Sequence, residues 1–266
     1  MSDEYFREQR REREKENEAI KQKHRKERER EEDEIQKLKE AEYEKALNSP
    51  AKKIWGLYYI CHIENLSGII ENGILSPNLV KKKNLNPAQI RDKKISNKRS
   101  NKVVRDNSAF IERSISLDNY AHTFFFPRNP MLYRVAVIEK QQVVVIKMHL
   151  DISKPNLFIT IKSAVSFQRE LYSSSKYYDV VPQLDNIKKK SEITKYFNND
   201  PDPEYEYDLS SECLIPNEVP SDIFEQIHVN NNDDMERKVQ NIIVESKRPQ
   251  LKVVQDSRMF FNTWED

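Results

Sequence analysis

Glu212 is the residue whose setting asks for chemistry. It stands in Ser210-Ser211-Glu212-Cys213-Leu214-Ile215, at the head of a run otherwise suited to a buried strand. A carboxylate there is costly unless it is paired or takes part in a reaction. The preceding stretch, about 174 to 208, is long, polar and read as irregular, which puts Glu212 at the edge of a cleft. The plainer alternative is a strand-end glutamate on the solvent side of the pleat. His62, in Tyr59-Ile60-Cys61-His62-Ile63, also reads two ways: a working group, or a core histidine satisfied by backbone. His149 lies in an apolar run and reads as structural. His24, His62, His122, His149 and His228 form no HExxH or other metal spacing, and Cys61 and Cys213 make no CxxC pair, so no metal is expected. The 3 glycines, Gly56, Gly68 and Gly73, exclude GxGxxG and GxxxxGK[ST] phosphate loops, and no GxSxG exists.

These residues need a scaffold, and the apolar pattern supplies one. Residues 55–63 have the aromatic and β-branched content of a strand. Leu66, Ile69 and Ile70 share one helical face, and Gly73 suits the position after that helix. Apolar runs follow at 123–126, 131–138, 143–150 and 157–161. Residues 163–172 look helical, 210–216 read as a strand, and 219–229 as a turn, a helical turn and a strand. Residues 235–246 make a helix with Val239, Ile242 and Ile243 inward, and 251–255 form the last strand. Strands outnumber helices, and the connections are too short for repeated βαβ crossovers, so the fold class is α+β. In Phe126-Pro127-Arg128-Asn129-Pro130-Met131-Leu132-Tyr133, two prolines break an apolar stretch and make a rigid corner without glycine.

Charge is segregated along the 266 residues although the net value is only +1. Residues 1–48 are dominated by Glu, Lys and Arg, with no Gly or Pro before Pro50. They read as a charged helical extension, either solvated or a partner-binding arm; apolar a/d positions are not sustained, so a coiled coil is not supported. Residues 81–105 hold ten Lys/Arg against the single acid Asp92, with a helix opening near Asn86-Pro87. This is either a solvated loop or a groove for a polyanion. With two separated cysteines, no apolar leader and no 18-residue apolar run, the chain reads as soluble and cytoplasmic.

Four segments carry a resemblance: LYYICHIENLSGIIENGIL (57–75), ISNKRSNKVV (95–104), NYAHTFFFPRNPMLYRV (119–135) and SSECLIPNEVPSDIFEQIHV (210–229). In this order they resemble the DarT family of bacterial DNA ADP-ribosyltransferase toxins. The Pro-Arg-Asn-Pro-Met-Leu-Tyr block is the most specific part, and the resemblance sets a domain at 54–262. It implies an ADP-ribosyltransferase-like split β-sheet with short flanking helices, NAD as co-substrate, and ADP-ribose transfer to a nucleobase of single-stranded DNA. A toxin–antitoxin or phage-defence setting, with a macrodomain antitoxin as partner, is implied as well. By position, Glu212 matches the catalytic glutamate and Arg99 the NAD- and base-contacting arginine. Tyr59, Ile60, Cys61, His62, Asn65 and Gly68 match the cofactor-gripping segment. Lys93, Lys94, Lys98, Lys102 and Arg105 are then the expected nucleic-acid contacts. Three departures stand out: Tyr59 replaces a His or Arg of several relatives, Ser210 a common Gln, and Tyr120-Ala-His-Thr the block Tyr-Val-Pro-Phe. RNA or protein as acceptor, and a non-catalytic nucleic-acid-binding module, are the alternative readings.

Overall fold

A computed structural model describes residues 22, 53–90, 92–104, 115–151, 157–166, 169–173, 176–193 and 208–261. The chain divides into two units, Met1–Pro50 and Ala51–Asp266. Of the first, Gln22 alone is described, as helical and exposed; the reading of 1–48 and that of Arg105 lie outside the described residues.

The second unit begins with strand β1 (Lys53–His62), a 3-10 turn (Ile63–Asn65) and helix α1 (Leu66–Asn72). Gly73 ends α1 at φ 77°, and a Cβ there would lie 2.3 Å from the Val219 carbonyl oxygen, so only glycine fits. Strand β2 (Ile74–Leu75) and helix α2 (Pro77–Lys82) follow, α2 being capped by Ser76 with Pro77 in its first turn. Helix α3 (Lys93–Ser100) starts at Asp92, whose carboxylate accepts the Lys94 N–H at 2.6 Å; the helix expected from Asn86-Pro87 therefore begins later. Strands β3 (Val103–Val104), β4 (Ile115–Ser116) and β5 (Tyr120–Phe124) lead to the proline corner.

That corner does not restart a strand. Asn129, fully buried, accepts the Leu132 N–H and donates to the Phe126 carbonyl, both at 3.0 Å. It thereby caps one α-turn (Pro130–Leu132) that runs into a π-helix (Tyr133–Ile138). Apolar residues over 131–138 thus serve a helix, because capping chemistry overrides β propensity here.

Strands β6 (Val143–Asp151), β7 (Phe158–Ile161) and β8 (Glu170–Ser173), helix α4 (Tyr177–Ile193), strands β9 (Glu212–Pro216), β10 (Glu218–Val219) and β11 (Phe224–Val229), helix α5 (Asp233–Glu245) and strand β12 (Lys252–Gln255) complete the described fold. Two expectations are corrected. Residues 163–172 form a loop and then β8 instead of a helix. Part of the supposedly irregular stretch is α4, whose Val180, Leu184 and Ile187 turn inward at helical spacing despite Pro182.

Eight strands form one sheet in the order β12-β11-β6-β1-β5-β9-β7-β8, antiparallel throughout except for β11 and β12. Paired residues project to the same face, so the register sorts the side chains. One face carries Leu57, Cys61, Ile146, Ile159 and Cys213 into the main core under α1, α4 and α5. The other carries Ile60, Phe124 and Val145 against the corner and Phe260–Phe261, and farther along carries Tyr120, Phe158 and Leu214 against Leu117 and Ala164. Among the described residues, no helix is long and apolar enough to cross a membrane.

Candidate active site

Tyr58 pairs with Phe124, Phe124 with Glu212, and Glu212 with Thr160, a row across four strands on the second face. Glu212 therefore projects between the two smaller apolar clusters, and none of its surface reaches solvent. A carboxylate so buried persists only if its oxygens are met by donors.

Four donors meet them. Oε2 lies 2.6 Å from His122 Nδ1 and 3.2 Å from Arg99 Nη2; Oε1 accepts the Ser163 hydroxyl and the Ala164 N–H, each at 3.0 Å. Arg99 is 7% exposed and His122 2%. Burial by itself raises the carboxyl, but the Arg99 and His122 charges, the His122 hydrogen bond and the Ala164 N–H outweigh it and bring it down to about 2. Glu212 is thus an ionised carboxylate sealed under counter-charges, the state required of a group that stabilises a developing cation.

Each partner is placed by local sequence. Arg99 lies in the last turn of α3, where a cation suits the helix dipole. His122 and Phe124 alternate on β5 toward the Glu212 face, and His122 Nε2 lies 3.2 Å from the Leu117 carbonyl oxygen. The loop 162–166 is held from several sides. Arg169 donates to the Ala164 carbonyl and, at 2.9 Å, to that of Val103; Lys102 Nζ bonds the Val165 carbonyl and that of Ser166 at 3.3 Å. Ser211, one residue before the glutamate, receives the Lys162 N–H at 3.1 Å and itself donates to the Asp208 carbonyl.

The first strand is sorted by parity. Ile60 and His62 share the Glu212 face, and His62 Nδ1 accepts the Glu64 N–H at 3.3 Å. Tyr59 and Cys61 project into the opposite core, and burial pushes the Cys61 thiol up to about 12, an inert group. The side chains of Tyr59 and Cys61 thus do not join Glu212, whereas Tyr58 lies on the same face as Glu212. Asn65 holds the backbone of Ala88, in the segment that leads to α3. Gly68 is exposed, and a Cβ on it would meet nothing within 4 Å, so it forms no close wall. Lys94 and Lys98 are exposed on α3, which Lys93 opens, whereas Lys102 is turned to the loop carbonyls and is no open strand contact.

The DarT family model, described as ssDNA thymidine ADP-ribosyltransferase, matches residues 58–261. The chain belongs to the DarT family. A DNA ADP-ribosyl transferase–DNA ADP-ribosyl glycohydrolase fusion protein of Thermosipho africanus (strain H17ap60334) is 27% identical over 208 residues, 77% of this chain and 49% of that protein. This chain spans about half the length of that curated relative. Among solved structures, Thermosipho africanus DarTG in complex with ADP-ribose matches 78% of this chain and 51% of its own at TM-score 0.64 and 24% identity. Thermus sp. 2.9 DarT in complex with ADP-ribosylated ssDNA matches 77% of this chain and 96% of its own at TM-score 0.60 and 18% identity. The DarT fold, a mixed α+β architecture around a large sheet, is shared.

His122, Ser163 and the Ala164 N–H were not marked as site groups by the sequence. For His122 the signal was present: it stands where the resemblance has the proline of Tyr-Val-Pro-Phe, the one titratable group introduced in that block.

Proposed function

We propose that this chain transfers ADP-ribose from NAD to thymine in single-stranded DNA, as the toxin of a toxin–antitoxin pair in the cytoplasm. The observation that carries the reading is the buried, ionised Glu212 with Arg99 at 3.2 Å, inside a domain of the DarT family. The C1′–N bond to nicotinamide breaks with its electron pair leaving on nicotinamide, and positive charge develops on the ribose. Glu212 lies ready to stabilise that charge. A ring nitrogen of the base then bonds to C1′ and its proton passes to Glu212 and on to solvent; in thymidine the remaining ring N–H lies on the pairing edge, which a duplex would cover.

The donor set fits a ribosyl substrate. Ser163 is a neutral hydroxyl on Glu212 Oε1, so a ribose hydroxyl can take its place without altering the charge balance. Arg99 stands on the carboxylate, which favours its acting there and on the acceptor base over neutralising the NAD diphosphate. His62, Ile60 and Tyr58 line the same face for NAD, and Lys94 and Lys98 for the strand. Glycohydrolase action by a macrodomain partner would reverse the mark, a reading that rests on the fusion relative.

Incubation with labelled NAD and defined oligonucleotides tests this. Label should appear on thymidine of single strands, identified by mass spectrometry, and Glu212→Ala should remove it. Label on RNA or protein alone would overturn the acceptor, and tight oligonucleotide binding without label would leave a binding module.

A further inference from the structure

His122 faces two groups that can only accept. Leu117 presents a carbonyl oxygen to Nε2 at 3.2 Å, and Glu212 presents an ionised carboxylate to Nδ1 at 2.6 Å. A neutral imidazole has one N–H and one lone pair, so it would point that lone pair at one of these oxygens. Satisfying both requires an N–H at each ring nitrogen. The ring is 2% exposed, so water is poorly placed to resolve the conflict.

Charge counting in the pocket leads the same way. Glu212 carries one negative charge and is met by two basic side chains, Arg99 and His122, while the charge of Arg169 also reaches it. On the element beside Leu117, Asp118 accepts the Ser100 hydroxyl at 2.9 Å and lies 3.5 Å from Lys81 Nζ, so its charge is already engaged. Two cations on one carboxylate looks like an excess until the acceptor arrives. If Arg99 turns toward the base, a carboxylate with no other cation in contact would be left buried and poorly compensated, which is unfavourable.

We propose that His122 is a positioning residue for Glu212: a doubly protonated imidazole, clamped between the Leu117 carbonyl and Glu212 Oε2, that keeps the carboxylate aimed and counter-charged while Arg99 engages the acceptor. No covalent step is assigned to the ring. This role rests on the proposed transferase reading, but the protonation state on which it depends does not.

The first test is independent of turnover. In ¹⁵N-labelled protein at neutral pH, the His122 ring nitrogens should both show as protonated; a neutral ring with one N–H overturns the proposal whether or not the chain transfers ADP-ribose. The second test is kinetic. His122→Ala should lower kcat on the order of 100-fold, the scale of removing one preorganised electrostatic partner, with KM for NAD little changed. His122→Asn sets an amide at the place of Nδ1; Nδ2 can donate to Glu212 but cannot titrate. It should regain part of the rate and lose the alkaline fall of activity that the proposal expects of the parent chain. The same alkaline limb in His122→Asn, or an unchanged kcat in His122→Ala, sinks the idea. Should His122→Ala fail to fold, as judged by circular dichroism, the asparagine variant and the ring spectrum decide alone.

Discussion

Asn65 holds Ala88 with both atoms of its amide: Nδ2 donates to the Ala88 carbonyl at 2.9 Å and Oδ1 accepts the Ala88 N–H at 2.8 Å. The segment 85–90 is neither helix nor strand, so this side chain stands in for a missing backbone ladder. Ile90, two residues on, is buried, and its carbonyl accepts Arg134 Nη2 at 2.6 Å. Asn65 therefore fixes the approach to α3, and through it the placement of Arg99. Asn65→Ala should destabilise the protein by about 1–3 kcal/mol and accelerate hydrogen exchange at the Ala88 amide. Asn65→Asp should be no better, because a second carboxylate oxygen would face the Ala88 carbonyl. A direct grip on NAD alone would leave that exchange rate unmoved.

Arg99 and Glu212 form a buried pair, and one-sided removal leaves a charge behind. Arg99→Ala should lower stability by about 3 kcal/mol, the lower end for a broken buried pair, since His122, Ser163 and Ala164 still serve the carboxylate. Arg99→Lys keeps the charge but loses the planar fork. It should restore most of the stability in denaturant melts and little of the transferase rate. Equal recovery of both would mean that charge alone, without geometry, is what the site requires of Arg99.

The parts legible in the sequence were those whose pattern is local. Gly73, β1, α1 and α5 announce themselves through a helix-ending glycine, an aromatic run and helical stripes. Glu212 was legible because a carboxylate at the head of an apolar strand is anomalous. The parity of β1 was not: Tyr58 and Tyr59 are chemically alike, and only pairing with Phe124, 66 positions on, decides which one faces Glu212. Residues 163–166 look helical because nothing in their types shows that Glu212, far along the chain, takes the Ala164 N–H. In α4 the stripe Val180, Leu184 and Ile187 was visible, but Pro182 and the Lys188–Lys190 run obscured it.

Acid should unfold the protein through Glu212. Its carboxyl is depressed from an ordinary 4.5 to about 2, so the folded state holds a proton less readily than the unfolded chain. The associated stability is fully present above the unfolded value and is lost as pH falls from about 4.5 through about 2, on the order of 3 kcal/mol. Glu212→Gln removes the titration, so its stability should change less over that window than the parent's does. Equilibrium urea melts at several pH values give the comparison, and parallel curves would show that Glu212 does not drive the acid transition.

Lys98 and Lys102 lie four residues apart in the basic segment yet should behave differently. Lys98 is exposed in the last turn of α3, whereas Lys102 is half-buried with its ammonium on the Val165 and Ser166 carbonyls. Burial first, then the nearby Arg169 and Lys98 charges, hold the Lys102 ammonium below the usual lysine value. Lys98→Ala should weaken binding to single-stranded oligonucleotides and reduce the slope of log K against log salt by about 0.7, one released counterion's worth. Its loss of activity should be recovered at high oligonucleotide concentration. Lys102→Ala removes a restraint on the loop that delivers Ser163 and the Ala164 N–H to Glu212, so saturating DNA should not rescue it. Its salt slope should stay close to that of the parent. If instead both variants lose slope alike and both recover with excess strand, the loop contact of Lys102 is incidental and the whole segment is an electrostatic track.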